Sequence, residues 1–208
     1  LTAVRSYKMR GAFNFFRKAL KTGAGASGFV CASAGNHAQG FAYACQHFGV
    51  KGVIFMPVTT PQQKIQKTQV FGGSNVEIKI VGDFFDHCYQ AAIEYAQTTS
   101  ALMVPPFDHP DIIEGQATVG LEIFEQIDQP IDLLILPVGG GGLAAGITQI
   151  VQELSPQTQI LYVQPSGAPS FKESLINQER VCLDRVNNFV DGAAVGQMGA
   201  LNFELLKH

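Results

Sequence analysis

The sequence predicts an α/β fold with mostly parallel sheets, and three observations carry that expectation. Short β-branched or apolar runs alternate with helix-patterned segments along the chain. The runs are apolar on both faces, as strands covered by helices on both sides are. A proline-rich break, Val104-Pro-Pro-Phe-Asp-His-Pro110, puts three prolines in seven residues and blocks both helix interior and ladder pairing, so two units are expected.

Taken in order, the first helix opens at Ser6-Tyr-Lys-Met-Arg-Gly-Ala12, with Lys8 just inside it. Its cluster Arg5, Lys8, Arg10, Arg17 and Lys18 is compatible with a solvated basic face. The strands expected are Phe29-Val-Cys-Ala32, Gly52-Val-Ile-Phe-Met56, Asn75-Val-Glu-Ile-Lys-Ile80, Leu133-Leu-Ile-Leu136 and Gln159-Ile-Leu-Tyr-Val163. Thr60 as N-cap with Pro61 at the first helical position is expected to start a helix over 61–71. Asp83, with Asp86 three residues on, is expected to start one over 83–97. Residues 28–107 then form a compact αβα unit, and a second sheet follows it.

Composition narrows the function. The 208 residues are 46% hydrophobic and 15% charged, enough for a substantial core, and a net charge of -3 gives no electrostatic reason to bind nucleic acid. The longest apolar run, from Leu133, is interrupted by Pro137 and four glycines and is too short for a bilayer span. Residues 1–20 hold five basic residues and no cleavable apolar segment, so a cytoplasmic location is expected. Cys31, Cys45, Cys88 and Cys182 show no metal-ligand spacing and read as buried reduced thiols; no metal is expected. The chain starts at Leu1 and stops in a helical pattern, Asn202-Phe-Glu-Leu-Leu-Lys-His208, without a C-cap glycine, so it is expected to be cut at both ends.

Three loops could carry chemistry. Val138-Gly-Gly-Gly-Gly-Leu-Ala-Ala-Gly146 joins a strand to a helix, and its glycines let several N–H groups converge on an anion at the helix start. Gly140-x-Gly142-x-x-Ala145 matches the loose dinucleotide pattern, but the next strand ends in Val163-Gln164-Pro165 where an acid should hold a ribose, and no Lys-Ser/Thr follows for a triphosphate. A phosphate monoester fits better. Ala32-Ser-Ala-Gly-Asn-His-Ala-Gln-Gly40 offers either helix caps at Ser33 and Asn36 or small residues whose N–H groups approach a carboxylate. Lys8, a surface lysine on the bland reading, is with a phosphate loop the equipment needed to hold pyridoxal phosphate as a Schiff base.

Together, Ser6-Tyr-Lys-Met-Arg-Gly-Ala12, Ser33-Ala-Gly-Asn-His-Ala-Gln-Gly40, Pro105-Pro-Phe-Asp-His-Pro110 and Pro137-Val-Gly-Gly-Gly-Gly-Leu-Ala-Ala-Gly146 resemble the pyridoxal-phosphate threonine deaminases in order and spacing. Asp191-Gly-Ala-Ala-Val195 is similar to that family's late loop near the active site. The resemblance implies a tryptophan-synthase-β-like fold (pyridoxal-phosphate fold type II) of two three-layer αβα domains. Residues 1–27 and 108–208 would form the larger, cofactor-binding domain and 28–107 the smaller.

The resemblance also implies the roles. Lys8 would be the catalytic residue and covalent cofactor anchor. Gly139, Gly140, Gly141, Gly142 and Leu143 would hold the phosphate, Asn36 the ring hydroxyl, and Ser33, Ala34, Gly35, Asn36 and His37 the substrate carboxylate. The implied activity is a carbon–nitrogen lyase converting L-threonine to 2-oxobutanoate and ammonia on the way to isoleucine, with serine as second substrate and a homo-oligomer as the assembly. Serine racemases and dehydratases share the fold; racemase-like relatives carry a serine where this sequence has Ala34. A catalytically incomplete ligand-binding fragment is the other alternative. Tyr7 and Glu114-Gly-Gln-Ala-Thr118 depart mildly from the family pattern, and the residue facing the pyridine nitrogen would lie beyond His208.

Overall fold

The structure, a computed structural model, describes residues 3–208; the first two residues of the expected 1–27 segment lie outside it. The chain divides into two compact units, Leu1–Pro106 and Phe107–His208.

The first unit runs α1 (Lys8–Thr22), β1 (Phe29–Ala32), α2 (Asn36–Phe48), β2 (Gly52–Met56), α3 (Gln62–Gly72), β3 (Val76–Ile80), α4 (Phe85–Thr99) and β4 (Leu102–Met103). Its four strands form one parallel sheet in the order β3-β2-β1-β4. Every residue of β1 and β2 is buried, as the lack of alternation predicts. On one face, Val30, Ala32, Val53 and Phe55 pack with Cys88 and Ala92 of α4. On the other, Phe16 of α1 stacks on Phe29 with centroids 4.0 Å apart and meets Phe41 of α2 edge-on at 5.4 Å. Helices thus lie on both faces of this sheet, and α1 is part of the same compact unit.

The second unit contains α5 (Pro110–Gln126), β5 (Leu133–Pro137), α6 (Gly142–Leu154), β6 (Gln159–Val163), α7 (Ser170–Asn177) and α8 (Ala200–Leu206). β5 and β6 form a two-stranded parallel sheet with Ile135 opposite Leu161. Leu134, Leu136, Ile160 and Tyr162 pack into a core with Ala144, Ile147 and Val151 of α6, Phe171 of α7 and Phe203 of α8. The opposite face is bare: Leu133, Ile135, Leu161 and Val163 are 49%, 55%, 49% and 40% exposed. Two complete three-layer domains are therefore not present; this unit has two strands and apolar cover on one side of them.

Two helix starts differ from expectation. Thr60 does not cap α3, because its hydroxyl donates to the Pro57 carbonyl (2.7 Å) and closes a turn; Pro61 takes the capping position and the helix begins at Gln62. Asp83 does not cap α4, which begins at Phe85 after Phe84; the Asp83 N–H instead donates to His87 Nδ1 (3.3 Å). Of the cysteines, Cys31, Cys45 and Cys88 are buried as expected, whereas Cys182 is exposed. Among the described residues, no helix is long and apolar enough to cross a membrane.

Candidate active site

Lys8 is the first residue of α1, and its N–H donates to the Ser6 hydroxyl (3.3 Å). The helix is brought hard against α2 at one point: a Cβ on Gly40 would lie 3.1 Å from the Met9 N and Cα and 3.3 Å from the Lys8 carbonyl carbon. A side chain at Gly40 would press on that backbone, so glycine suits the close crossing, which sets Lys8 at the partly buried start of α1. There Nζ donates to the Pro106 carbonyl (2.8 Å), and burial pulls its pKa from 10.5 down to about 8. The solvated-face reading is thus overturned for Lys8. A lysine in this state is still mostly protonated at pH 7 but has a neutral fraction hundreds of times that of an ordinary lysine, which favours its use as a nucleophile or base.

His37, buried in the first turn of α2, shares this setting. Its Nε2 lies 3.1 Å from the Val104 carbonyl, an acceptor, so that nitrogen bears the proton. Burial first and the Lys8 charge second lower its pKa to about 3, against a smaller raising effect of the carbonyl. The ring is neutral and serves to fasten the start of α2 to the chain after β4.

The loop before α2 is open. Ser33 is neither free nor a helix cap: its hydroxyl accepts from the Gly35 N–H (3.2 Å) and shapes the turn. Gly35 is the N-cap residue, no side chain caps α2, and Asn36 is exposed, as the first helical residue. Ala34 adds only a methyl group. The N–H groups of Asn36, His37 and Ala38 have no acceptor among the described residues, which leaves an uncapped helix start able to receive a carboxylate.

In the second unit, Gly141 is the N-cap of α6 at φ 94, the left-handed region open to glycine. The N–H groups of Gly139, Gly140, Gly141, Gly142 and Leu143 likewise have no acceptor among the described residues. The loop's carbonyls, by contrast, are held. Gly140 accepts from the Gly199 N–H (3.1 Å) and from Asn202 Nδ2 (2.8 Å), and Val138 accepts from Gln164 Nε2 (3.1 Å). With carbonyls engaged and N–H groups open at the positive end of a helix, this loop can hold a multiply charged anion.

The loop is walled in part by two segments that carried the resemblance, Pro105–Pro110 and Asp191–Val195. A Cβ on Gly139 would meet Ala193 Cα at 3.0 Å, in the Asp191-Gly-Ala-Ala-Val195 segment, and one on Gly142 would meet the Phe107 carbonyl oxygen at 2.9 Å. Asp108 accepts from the Ala200 N–H (2.8 Å) and the Leu201 N–H (3.0 Å), pinning the start of α8. Gln164, where a ribose-binding acid was absent, accepts from the Phe171 and Lys172 N–H groups (both 3.0 Å) and so caps α7. The predicted residues thus fall into two sets: Lys8 and Ser33–His37 in the first unit, Gly139–Leu143 in the second.

The described residues thus combine a parallel α/β architecture with an amine of lowered basicity in the first unit and a glycine loop with open N–H groups in the second. The chain belongs to the family of pyridoxal-phosphate dependent enzymes, which matches it over residues 1–208. It is 44% identical over 207 residues to the biosynthetic L-threonine dehydratase IlvA of Bacillus subtilis, covering 100% of this chain and 49% of that protein. It is 44% identical over 208 residues to the Staphylococcus aureus enzyme of the same name, covering 98% and 49%. Thus it spans about half the length of these curated relatives.

Among solved structures, processed threonine deaminase isoform 2 of Solanum lycopersicum superposes with a TM-score of 0.92 at 39% identity, covering 99% of this chain and 55% of that one. Maize serine racemase gives 0.91 at 28% identity, covering 99% and 60%.

Proposed function

We propose that this chain is part of a threonine ammonia-lyase that converts L-threonine to 2-oxobutanoate and ammonia, the first step towards isoleucine, with serine as a secondary substrate. The observation that carries the reading is the buried Lys8 amine with its pKa near 8, in a chain 44% identical to biosynthetic threonine dehydratases along its whole length. Pyridoxal phosphate, when bound, supplies an electron sink for the pair left on the substrate α-carbon.

The residues divide the remaining work. Lys8 would be the covalent anchor for the cofactor, and its free amine would be the base that takes the substrate α-proton. Gly139–Leu143 would hold the phosphate through their open N–H groups, and Asn36 would donate to the ring hydroxyl. The N–H groups at the start of α2 hold the substrate carboxylate, with neutral His37 keeping that start in place. The β-hydroxyl leaves with a proton as water. The released enamine takes up one water and yields the oxo acid and ammonia.

We further propose that residues 1–27 and 108–208 contribute to the larger domain and 28–107 form the smaller one, each a three-layer αβα domain in the whole protein. A cytoplasmic homo-oligomer is the expected context. The serine racemase reading draws on the likeness to the maize structure, but position 34 carries a methyl group where a second acid/base hydroxyl would be needed.

The test is a visible spectrum of the purified chain with added pyridoxal phosphate, then borohydride reduction and peptide mapping, with Lys8→Ala as control. A new absorption band that reduces onto Lys8, with 2-oxo acid release from L-threonine, is the expected result. Labelling elsewhere, faster turnover of D-threonine, or racemisation outrunning elimination would overturn it.

A further inference from the structure

We propose that Asn202 is the positioning residue for phosphate capture at the glycine loop, an inference that rests on the phosphate-binding reading of Gly139–Leu143. Asn202 lies on α8, fully buried, and its Nδ2 reaches two backbone carbonyls from separate parts of the unit, Gly140 (2.8 Å) and Phe107 (3.2 Å). Two acceptors on one side fix which way the amide faces, since the reversed orientation would set three oxygens together. Its Oδ1 is buried and has no hydrogen-bond partner.

An amide kept in an apolar core with one end unsatisfied is unfavourable for folding alone, so its value lies in what the donating end does. By drawing the Gly140 carbonyl towards α8, it turns the 140–141 peptide unit so that the Gly141 N–H, in the middle of the loop, faces the other way. The contact is close: a Cβ on Gly141, at φ 94, would lie 2.7 Å from Asn202 Cβ, so the side chain also backs the left-handed residue that starts α6. Asp108, capping the first N–H groups of α8, holds the helix that carries Asn202. The Gly140 carbonyl keeps the Gly199 N–H (3.1 Å) if the amide is removed, so the backbone there is not orphaned and the fold can tolerate the loss.

The experiment titrates inorganic phosphate into the whole chain and follows backbone amide resonances by NMR, comparing the natural protein with Asn202→Leu, of similar shape without a donor, and Asn202→Thr, which restores one hydroxyl donor. The expected result is movement of the Gly139–Leu143 amides in the natural chain. Affinity falls at least tenfold in Asn202→Leu and recovers in part in Asn202→Thr, with amides outside the second unit unchanged in all three. Natural affinity in Asn202→Leu, or loss in Asn202→Thr equal to that in Asn202→Leu, overturns the role of Asn202 and leaves the loop reading intact. Failure of phosphate to move the loop amides in the natural chain overturns the loop reading, and the proposal with it.

Discussion

Lys8 is held at a cost to the fold. Its ammonium is buried, and its pKa falls from 10.5 unfolded to about 8 folded. Between those values the unfolded chain binds more protons than the folded one, so stability rises with pH across that window. Below about pH 8 both states are protonated and the full penalty stands. The shift sets that penalty at ~3 kcal/mol as an upper figure. Lys8→Met, which fills the same space without charge, is expected to raise stability by ~1–3 kcal/mol at pH 7, less the lost bond to Pro106, with the advantage shrinking between pH 8 and 10.5. Urea unfolding at several pH values measures this; an advantage independent of pH would show that the charge is not what burial penalises.

At the scale of elements, the crossing of α1 and α2 decides where Lys8 sits. The atoms a Gly40 side chain would strike belong to the backbone at Lys8 and Met9, and backbone cannot swing aside. Gly40→Val is therefore expected to cost ~1–3 kcal/mol by forcing the helices apart. Covalent labelling of Lys8 by pyridoxal phosphate should fall further than the melting temperature suggests; full labelling in a destabilised variant would count against the helix crossing as the positioning device. Elements of this length were legible from sequence because five strand runs and the helices between them carry strong apolar patterns. β4 was not, since Leu102–Met103 is too short to show any pattern. The caps at Thr60 and Asp83 misled because residue type says that a side chain can accept a hydrogen bond, and tertiary neighbours decide whether it does. Lys8, the Ser33–His37 loop and the glycine loop were visible as local motifs. Asn202 was not, and Asp108 was visible as part of the Pro105–Pro110 motif but not in its role, because their bonds reach 62 and 92 residues along the chain, where no local spacing rule applies.

For the molecule as a whole, the two units differ in how completely their sheets are covered. The first encloses its sheet on both faces, while the second leaves Leu133, Ile135, Leu161 and Val163 open to water. This apolar area is expected to bind 1-anilinonaphthalene-8-sulfonate under native conditions. Ile135→Lys combined with Leu161→Glu, an opposite-charge pair across the ladder, should abolish most of that fluorescence and change stability by no more than ~0.5–1 kcal/mol. Unchanged fluorescence in the double variant would locate the dye elsewhere. The bond from Lys8 to Pro106 has a consequence of another kind. It joins residues 98 positions apart. A polypeptide emerging from a ribosome presents Lys8 early and can enclose it only after Pro106 has followed. Until then the amine is an ordinary strongly basic lysine, and its reactivity is acquired at the end of the first unit's synthesis.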